Sequence, residues 1–119
     1  MRTLLLCLLV MALGLASTAA DDVAGDYVAF GKLPYSGEMY ACNGEIIKTG
    51  GVYKLRWYFE EGYDYAGVGV IKNGLLCVGY AADIGYGVAI YKIEADGFLD
   101  GVFGLPGFKQ KGTEKLHRD

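Results

Sequence analysis

The chain has 119 residues, of which 53% are hydrophobic and 13% aromatic, with 19 glycines, two prolines and a formal net charge of −3. That length supports one small domain with one core, and the few basic residues form no dense run of the kind that engages nucleic-acid phosphates or an anionic membrane surface. An aromatic, glycine-rich chain with few strong helix formers is expected to be all-β.

In chain order, Met1 to Ala20 begins with Arg2, runs apolar from Leu4 to Leu15 and ends in small residues, the pattern of a secretory signal peptide. The apolar run is shorter than the ~20 residues a spanning helix needs, and the acidic pair Asp21-Asp22 follows at once. Residues 1–20 are therefore expected to be removed. Residues 21–119 are expected to form a single domain, secreted or periplasmic and not inserted in the membrane. Of the three cysteines, Cys42 and Cys77 remain after such cleavage, in a compartment that permits disulfides.

Gly25 to Lys32 reads as a first strand, and Leu33-Pro34-Tyr35-Ser36-Gly37 as the turn into a second. The stretch from Gly51 to Tyr80 carries the clearest signals. Asn73-Gly74, set between Val70-Ile71-Lys72 and Leu75-Leu76-Cys77, predicts a two-residue hairpin, which pairs Val70 with Cys77, Val68 with Gly79 and Gly67 with Tyr80. A turn over Glu60 to Tyr63, with Phe59 opposite Asp64, places Leu55 against Val68 and Tyr53 against Val70. The Gly50-Gly51 turn sets Gly44 opposite Trp57, Ile46 opposite Leu55 and Cys42 opposite Phe59.

Side chains alternate between faces along a strand, so these pairings assign an inside and an outside. Cys42, Gly44, Ile46, Tyr53, Leu55, Trp57, Phe59, Ala66, Val68, Val70, Leu75 and Cys77 share the expected core face. Asn43, Glu45, Lys54 and Arg56 mark the exterior, which turns apolar further along at Tyr65, Ile71, Leu76, Val78 and Tyr80. That set is the expected partner surface, covered by a terminal segment, a dimer contact or a ligand.

Downstream, Tyr86 to Glu94 is expected to be a strand that turns at Ala95-Asp96-Gly97 with Gly97 in the left-handed region. This puts Ile93 against Leu99, Tyr91 against Gly101, Ala89 against Phe103 and Lys92 against Asp100. Leu105-Pro106-Gly107 makes another turn, and Lys109 to Leu116 the last strand, before a charged tail, His117-Arg118-Asp119, expected to fray. About eight short strands predict an antiparallel up-and-down meander that curls into a small, lipocalin- or calycin-like barrel. With Tyr53, Trp57, Phe59 and Tyr91 pointing inward, the interior is expected to be filled by side chains. If it is open beside Trp57, the same four residues would contact a small apolar ligand.

Little in the sequence points to chemistry. His117 is the sole histidine, which leaves no nucleophile triad and none of the common zinc spacings. Glu60-Glu61 with Asp64 reads as a solvated turn ahead of a carboxylate pair or a calcium site. Tyr63, Tyr65, Tyr80 and Tyr86 gather near strand ends, either as packing or as a platform for a sugar or peptide. No catalytic, cofactor or metal residue is assigned and a non-enzymatic role is expected. Cys42 and Cys77, both placed on the inner face, either bridge across the barrel or remain two buried thiols.

Six segments together carry a resemblance: Tyr35-Ser36-Gly37, Gly51 to Trp57, Tyr65 to Val70, Gly87 to Lys92, Asp96 to Gly101, and Gly112-Thr113-Glu114. With them the chain resembles a family of small secreted bacterial β-proteins, some of which carry the label fibronectin-binding protein. The resemblance covers nearly all of residues 21–119. It implies the meander, export, and a non-enzymatic role in binding a protein partner; the apolar outer face adds a homodimer as the other expected partner. The other expected role is that of a carrier for a small apolar ligand in a lipocalin-like barrel.

Overall fold

The computed structural model describes residues 22–62, 64–82 and 85–119; the expected leader 1–20 and Tyr63 lie outside them. Eight strands follow one another: β1 (Gly25–Lys32), β2 (Met39–Thr49), β3 (Val52–Tyr58), β4 (Asp64–Lys72), β5 (Leu75–Ala82), β6 (Gly85–Ile93), β7 (Leu99–Gly104) and β8 (Gly112–Arg118). Each pairs antiparallel with the next, and β1 pairs with β8, so the sheet closes into an up-and-down barrel. Closure leaves no strand edge with unpaired backbone groups.

The turns that the sequence marks most sharply form as expected. Asn73 and Gly74 adopt φ of 54° and 76°, the left-handed pair that a two-residue hairpin requires, and Val70 pairs with Cys77. Gly97 takes a φ of 88°, and Tyr91 falls opposite Gly101. Ile46 pairs with Leu55 and Gly44 with Trp57.

One register differs. Tyr58 pairs with Asp64, so Leu55 lies opposite Gly67 and Tyr53 opposite Gly69, one residue away from the expected partners. A slip of one residue turns the side chains of β4, and with them those of its hairpin partner β5, to the other face. Leu76, Val78 and Tyr80 are therefore buried in the core, with Tyr65 and Ile71 packed against it. The five residues expected to form an outer partner surface belong to the interior. Val68, Val70 and Leu75, expected inside, are exposed.

The inward face of β4 and β5 is tightly packed. A Cβ on Gly67 would stand 2.9 Å from the Gly79 carbonyl oxygen and 3.0 Å from Val78, and one on Gly69 would stand 3.0 Å from both Leu76 and Val78. The large inward side chains of β5 thus occupy space that only glycine on β4 leaves free. The β4–β5 pairing itself is the expected one, so the shift at the β3–β4 connection turns both strands together, carrying Leu76, Val78 and Tyr80 inside and leaving Val68, Val70 and Leu75 exposed.

The slip also separates the cysteines. Cys42 is buried inside, whereas Cys77 is half-buried on the exterior, and both are free thiols. Side chains on opposite faces of a sheet cannot meet disulfide geometry, so the expected bridge does not form. Burial pushes the Cys42 thiol up to about 12, with the nearby Glu114 carboxylate adding to the effect. Brief alkylation of the native protein should accordingly modify Cys77 and spare Cys42 until the chain is denatured. Peptide mass spectrometry checks this, and equal labelling of the two would contradict the placement.

The barrel has two different ends. The β2–β3, β4–β5 and β6–β7 turns, the start of β1 and the end of β8 gather at one of them, which is sealed. Val23 is 2% exposed there and its carbonyl accepts a hydrogen bond from the Tyr27 hydroxyl at 2.7 Å. The Arg118 guanidinium donates to the Ala24 and Asp22 carbonyls at 2.9 and 2.8 Å and lies over the Tyr27 ring. Of the tail expected to fray, His117 and Arg118 belong to β8, Arg118 holds the segment just before β1, and the Asp119 N–H donates to the Asp26 carbonyl at 3.0 Å. Ile46, Leu76, Leu99 and Leu116 are buried in the same core.

Towards the other end, four rings lie across glycines on neighbouring strands. Tyr40 pairs with Gly31, Tyr80 with Gly87, Tyr91 with Gly101 and Phe103 with Gly112. At each of these glycines a Cβ would collide with the partner ring. The absent side chains let the sheet coil tightly and hold the rings flat against backbone.

Candidate functional site

The β1–β2, β3–β4 and β7–β8 connections lie at the other end. A cavity of about 350 Å³ opens there, at the lower end of the range for small-molecule sites. Exposed residues of the β1–β2 and β3–β4 connections, Tyr35, Glu38 and Glu61, form its rim. The interior expected to be filled is therefore packed at the sealed end and hollow at the mouth.

Strand alternation supplies the walls. Tyr40 on β2, Trp57 on β3, Tyr65 on β4, Tyr80 on β5, Tyr91 on β6 and Phe103 on β7 all line the cavity, with Phe59 beside them and Ala89 as the small residue that keeps space open. The rings meet at steep angles: Trp57 and Tyr80 at 62° with centroids 5.9 Å apart, Tyr40 and Phe103 at 75° and 6.4 Å, Tyr80 and Phe103 at 74° and 6.4 Å. This edge-to-face arrangement is favourable in itself.

The inner wall carries one charged side chain. Glu114 on β8 is 6% exposed, the only buried charged residue among those described. Its Oε1 accepts hydrogen bonds from Trp57 Nε1 at 2.8 Å and the Tyr91 hydroxyl at 3.1 Å, and its Oε2 accepts one from the Tyr40 hydroxyl at 2.5 Å. Desolvation raises the Glu114 carboxyl above its ordinary range, while the three donors pull it down. Burial, reinforced by the Glu114 charge, pushes Tyr80 up to about 12 and raises Tyr40 and Tyr91 well above the usual tyrosine value. These hydroxyls therefore remain neutral donors at physiological pH.

Of the four residues expected to contact an interior ligand, Trp57, Phe59 and Tyr91 line this cavity. Tyr53 is buried in the core outside the cavity lining. Tyr65 and Tyr80, expected outside, are part of the wall. Tyr86 is 71% exposed on the exterior. The acidic turn also comes apart: Asp64 forms an ion pair with Arg56 at 2.9 Å, and Glu61 alone reaches the rim. Among the described residues no group of three or more His, Cys, Asp or Glu is placed to hold a metal ion. His117 stacks on Phe98 at the surface, with ring centroids 5.2 Å apart.

Sequence reasoning did not single out Glu114 as a site residue. The available signal was its alternation with Gly112 and Leu116 in the last strand, which puts a carboxylate on the same face as a core leucine. An acid in that position must find internal donors. Those donors come from β2, β3 and β6, which closure of the barrel brings around it. No known family model, characterised protein or solved structure matches the chain.

Proposed function

We propose that this chain is an exported, non-enzymatic binding protein that holds a small organic molecule in the mouth of its barrel. The observation that carries this reading is the aromatic cavity of about 350 Å³, open at one end of a barrel whose other end is sealed. An eight-stranded barrel is just wide enough to be filled by side chains or to hold one small ligand. Here the glycines beneath the rings and Ala89 leave the upper half unfilled.

Export is supported by the leader-like composition of residues 1–20 and by the resemblance to small secreted β-proteins. The protein-binding role was expected to use the apolar outer face formed by Tyr65, Ile71, Leu76, Val78 and Tyr80. Those side chains are committed to the interior, which favours the small-ligand role over it.

Protein purified from its native source should release a small organic molecule on denaturation, detected by mass spectrometry. Ala89→Leu should weaken rebinding of that molecule by about tenfold or more, because the added methyl groups enter the cavity rather than displace backbone. A native-source protein that carries nothing, and a cavity-filling variant that behaves as the parent does, would overturn the reading.

A further inference from the structure

We propose that the molecule held at the mouth carries a positive charge: an amine or a quaternary ammonium attached to a small apolar body. This inference rests on the reading of the cavity as a ligand site and adds the chemistry of the ligand.

Charge selects the sign. Among the described residues that line the cavity, every ionisable side chain of fixed charge is an acid: Glu38 and Glu61 at the rim and Glu114 within. Lysine, arginine and histidine are absent from that lining. The ion pairs found among the described residues, Arg56 with Asp64 and Lys92 with Glu94, both lie on the exterior, so neither supplies a counter-charge to Glu114. An anionic ligand would meet three carboxylates. A neutral apolar ligand would strip the remaining water from a buried carboxylate and give nothing in return. A cation offsets that cost directly, by an attraction that strengthens as the local dielectric falls.

The rings add a second attraction. Trp57, Tyr40, Tyr80 and Phe103 stand at steep angles around the space beside Glu114, and aromatic faces draw cations by their quadrupoles, tryptophan most strongly. The hydrogen bonds to Glu114 leave room for this. Its Oε1 accepts two and its Oε2 accepts one, whereas an ionised carboxylate offers about four acceptor positions. All three donors are neutral groups, so the carboxylate is oriented without being neutralised. A purely structural role, tying β2, β3 and β6 to β8, needs an acceptor at that place and has no use for the charge or for the acidic rim.

Three probes of nearly equal shape separate the possibilities: benzyltrimethylammonium, its uncharged carbon isostere neopentylbenzene, and benzylsulfonate. Trp57 is the only tryptophan of the chain, so its fluorescence reports on the cavity wall, and calorimetry gives affinities independently. The ammonium should bind at least about tenfold more tightly than the isostere, with the sulfonate weakest. That preference should shrink severalfold in Glu114→Gln. It should also fall in the rim double variant Glu38→Gln with Glu61→Gln, whose exposed positions leave folding untouched. If the isostere or the sulfonate binds as well as the ammonium, the cationic assignment fails while the small-ligand reading stands. If none of the three binds, both fail. An ammonium preference that survives in all the glutamine variants would overturn the role given to the carboxylates.

Discussion

Replacing Glu114 by alanine is expected to destabilise the barrel by about 3–5 kcal/mol, the largest effect of any single truncation at the mouth. Three donors, the Tyr40 and Tyr91 hydroxyls and the Trp57 indole N–H, would lose their acceptor together. Each buried donor left unpaired costs about 1–3 kcal/mol, and water entering the enlarged cavity offsets part of the sum. A loss of this size consumes much of the roughly 5–15 kcal/mol that holds a typical domain folded. Glutamine is different. Its amide oxygen can serve Trp57 and Tyr91, its amide nitrogen can donate to Tyr40, and no charge has to be buried. Glu114→Gln is therefore expected to lie within about 1 kcal/mol of the parent, or above it. Urea unfolding at neutral pH checks both; an alanine variant as stable as the glutamine one would remove Glu114 from its place in the hydrogen-bond network.

The same comparison has a definite pH dependence. Burial lifts the Glu114 carboxyl above its ordinary value of 4.5 in the folded protein. Below that value both the folded and the unfolded chain hold the proton, and the stabilisation is fully present. As pH rises through the window above it, the unfolded chain ionises first and the folded chain binds more protons, so stability falls until the folded carboxyl has also ionised. The groups facing Glu114 do not titrate in that window: Cys42 and Tyr40 on β2, Tyr80 on β5 and Tyr91 on β6 are all pushed upward. The gap in unfolding free energy between Glu114→Gln and the parent should thus widen in favour of glutamine as pH is raised from about 4 to 8. Adding a bound cation should narrow it again. A group that costs the empty protein stability at neutral pH is what a site kept for a charged ligand is expected to contain.

The architecture was legible where turn chemistry is specific. Asn73-Gly74 and Gly97 require left-handed backbone and set their registers from local sequence alone, and the eight-strand meander follows from such turns in succession. The β3–β4 connection has no comparable pair. Beyond it the alternation that assigns faces becomes uninformative, because β4 and β5 carry apolar residues on both sides: Val68, Val70 and Leu75 on one, Ile71, Leu76, Val78 and Tyr80 on the other. What decides between the two faces is the β3–β4 pairing of Tyr58 with Asp64, which no specific turn residue in the sequence sets. The cavity was legible in part, through Trp57, Phe59 and Tyr91. Glu114 was not, since its partners lie between 23 and 74 residues away along the chain and meet it only after the barrel has closed.

Closure by aromatic rings on glycine makes a second large effect predictable. Gly101→Ala is expected to cost about 2–4 kcal/mol, because its Cβ would overlap the Tyr91 ring and stand 2.9 Å from the Ile90 carbonyl oxygen, and overpacking of this kind typically costs 1–3 kcal/mol before any hydrogen bond is lost. Tyr91 is 1% exposed and has nowhere to turn. Displacing its ring would also draw its hydroxyl away from Glu114, so the variant should bind the ammonium probe more weakly as well as unfold earlier. Gly79→Ala is the matched control: it sits in the same sheet on the exterior, where an added Cβ meets nothing within 4 Å. That substitution should be neutral, or stabilising by about 0.4–1 kcal/mol through the lost freedom of the unfolded chain. Chemical denaturation of the two variants side by side separates a general preference for alanine in strands from the specific seat of Tyr91. Equal stabilities would mean that the ring can tilt without cost, and that the wall of the cavity is softer than the packing of Tyr91 on Gly101 requires.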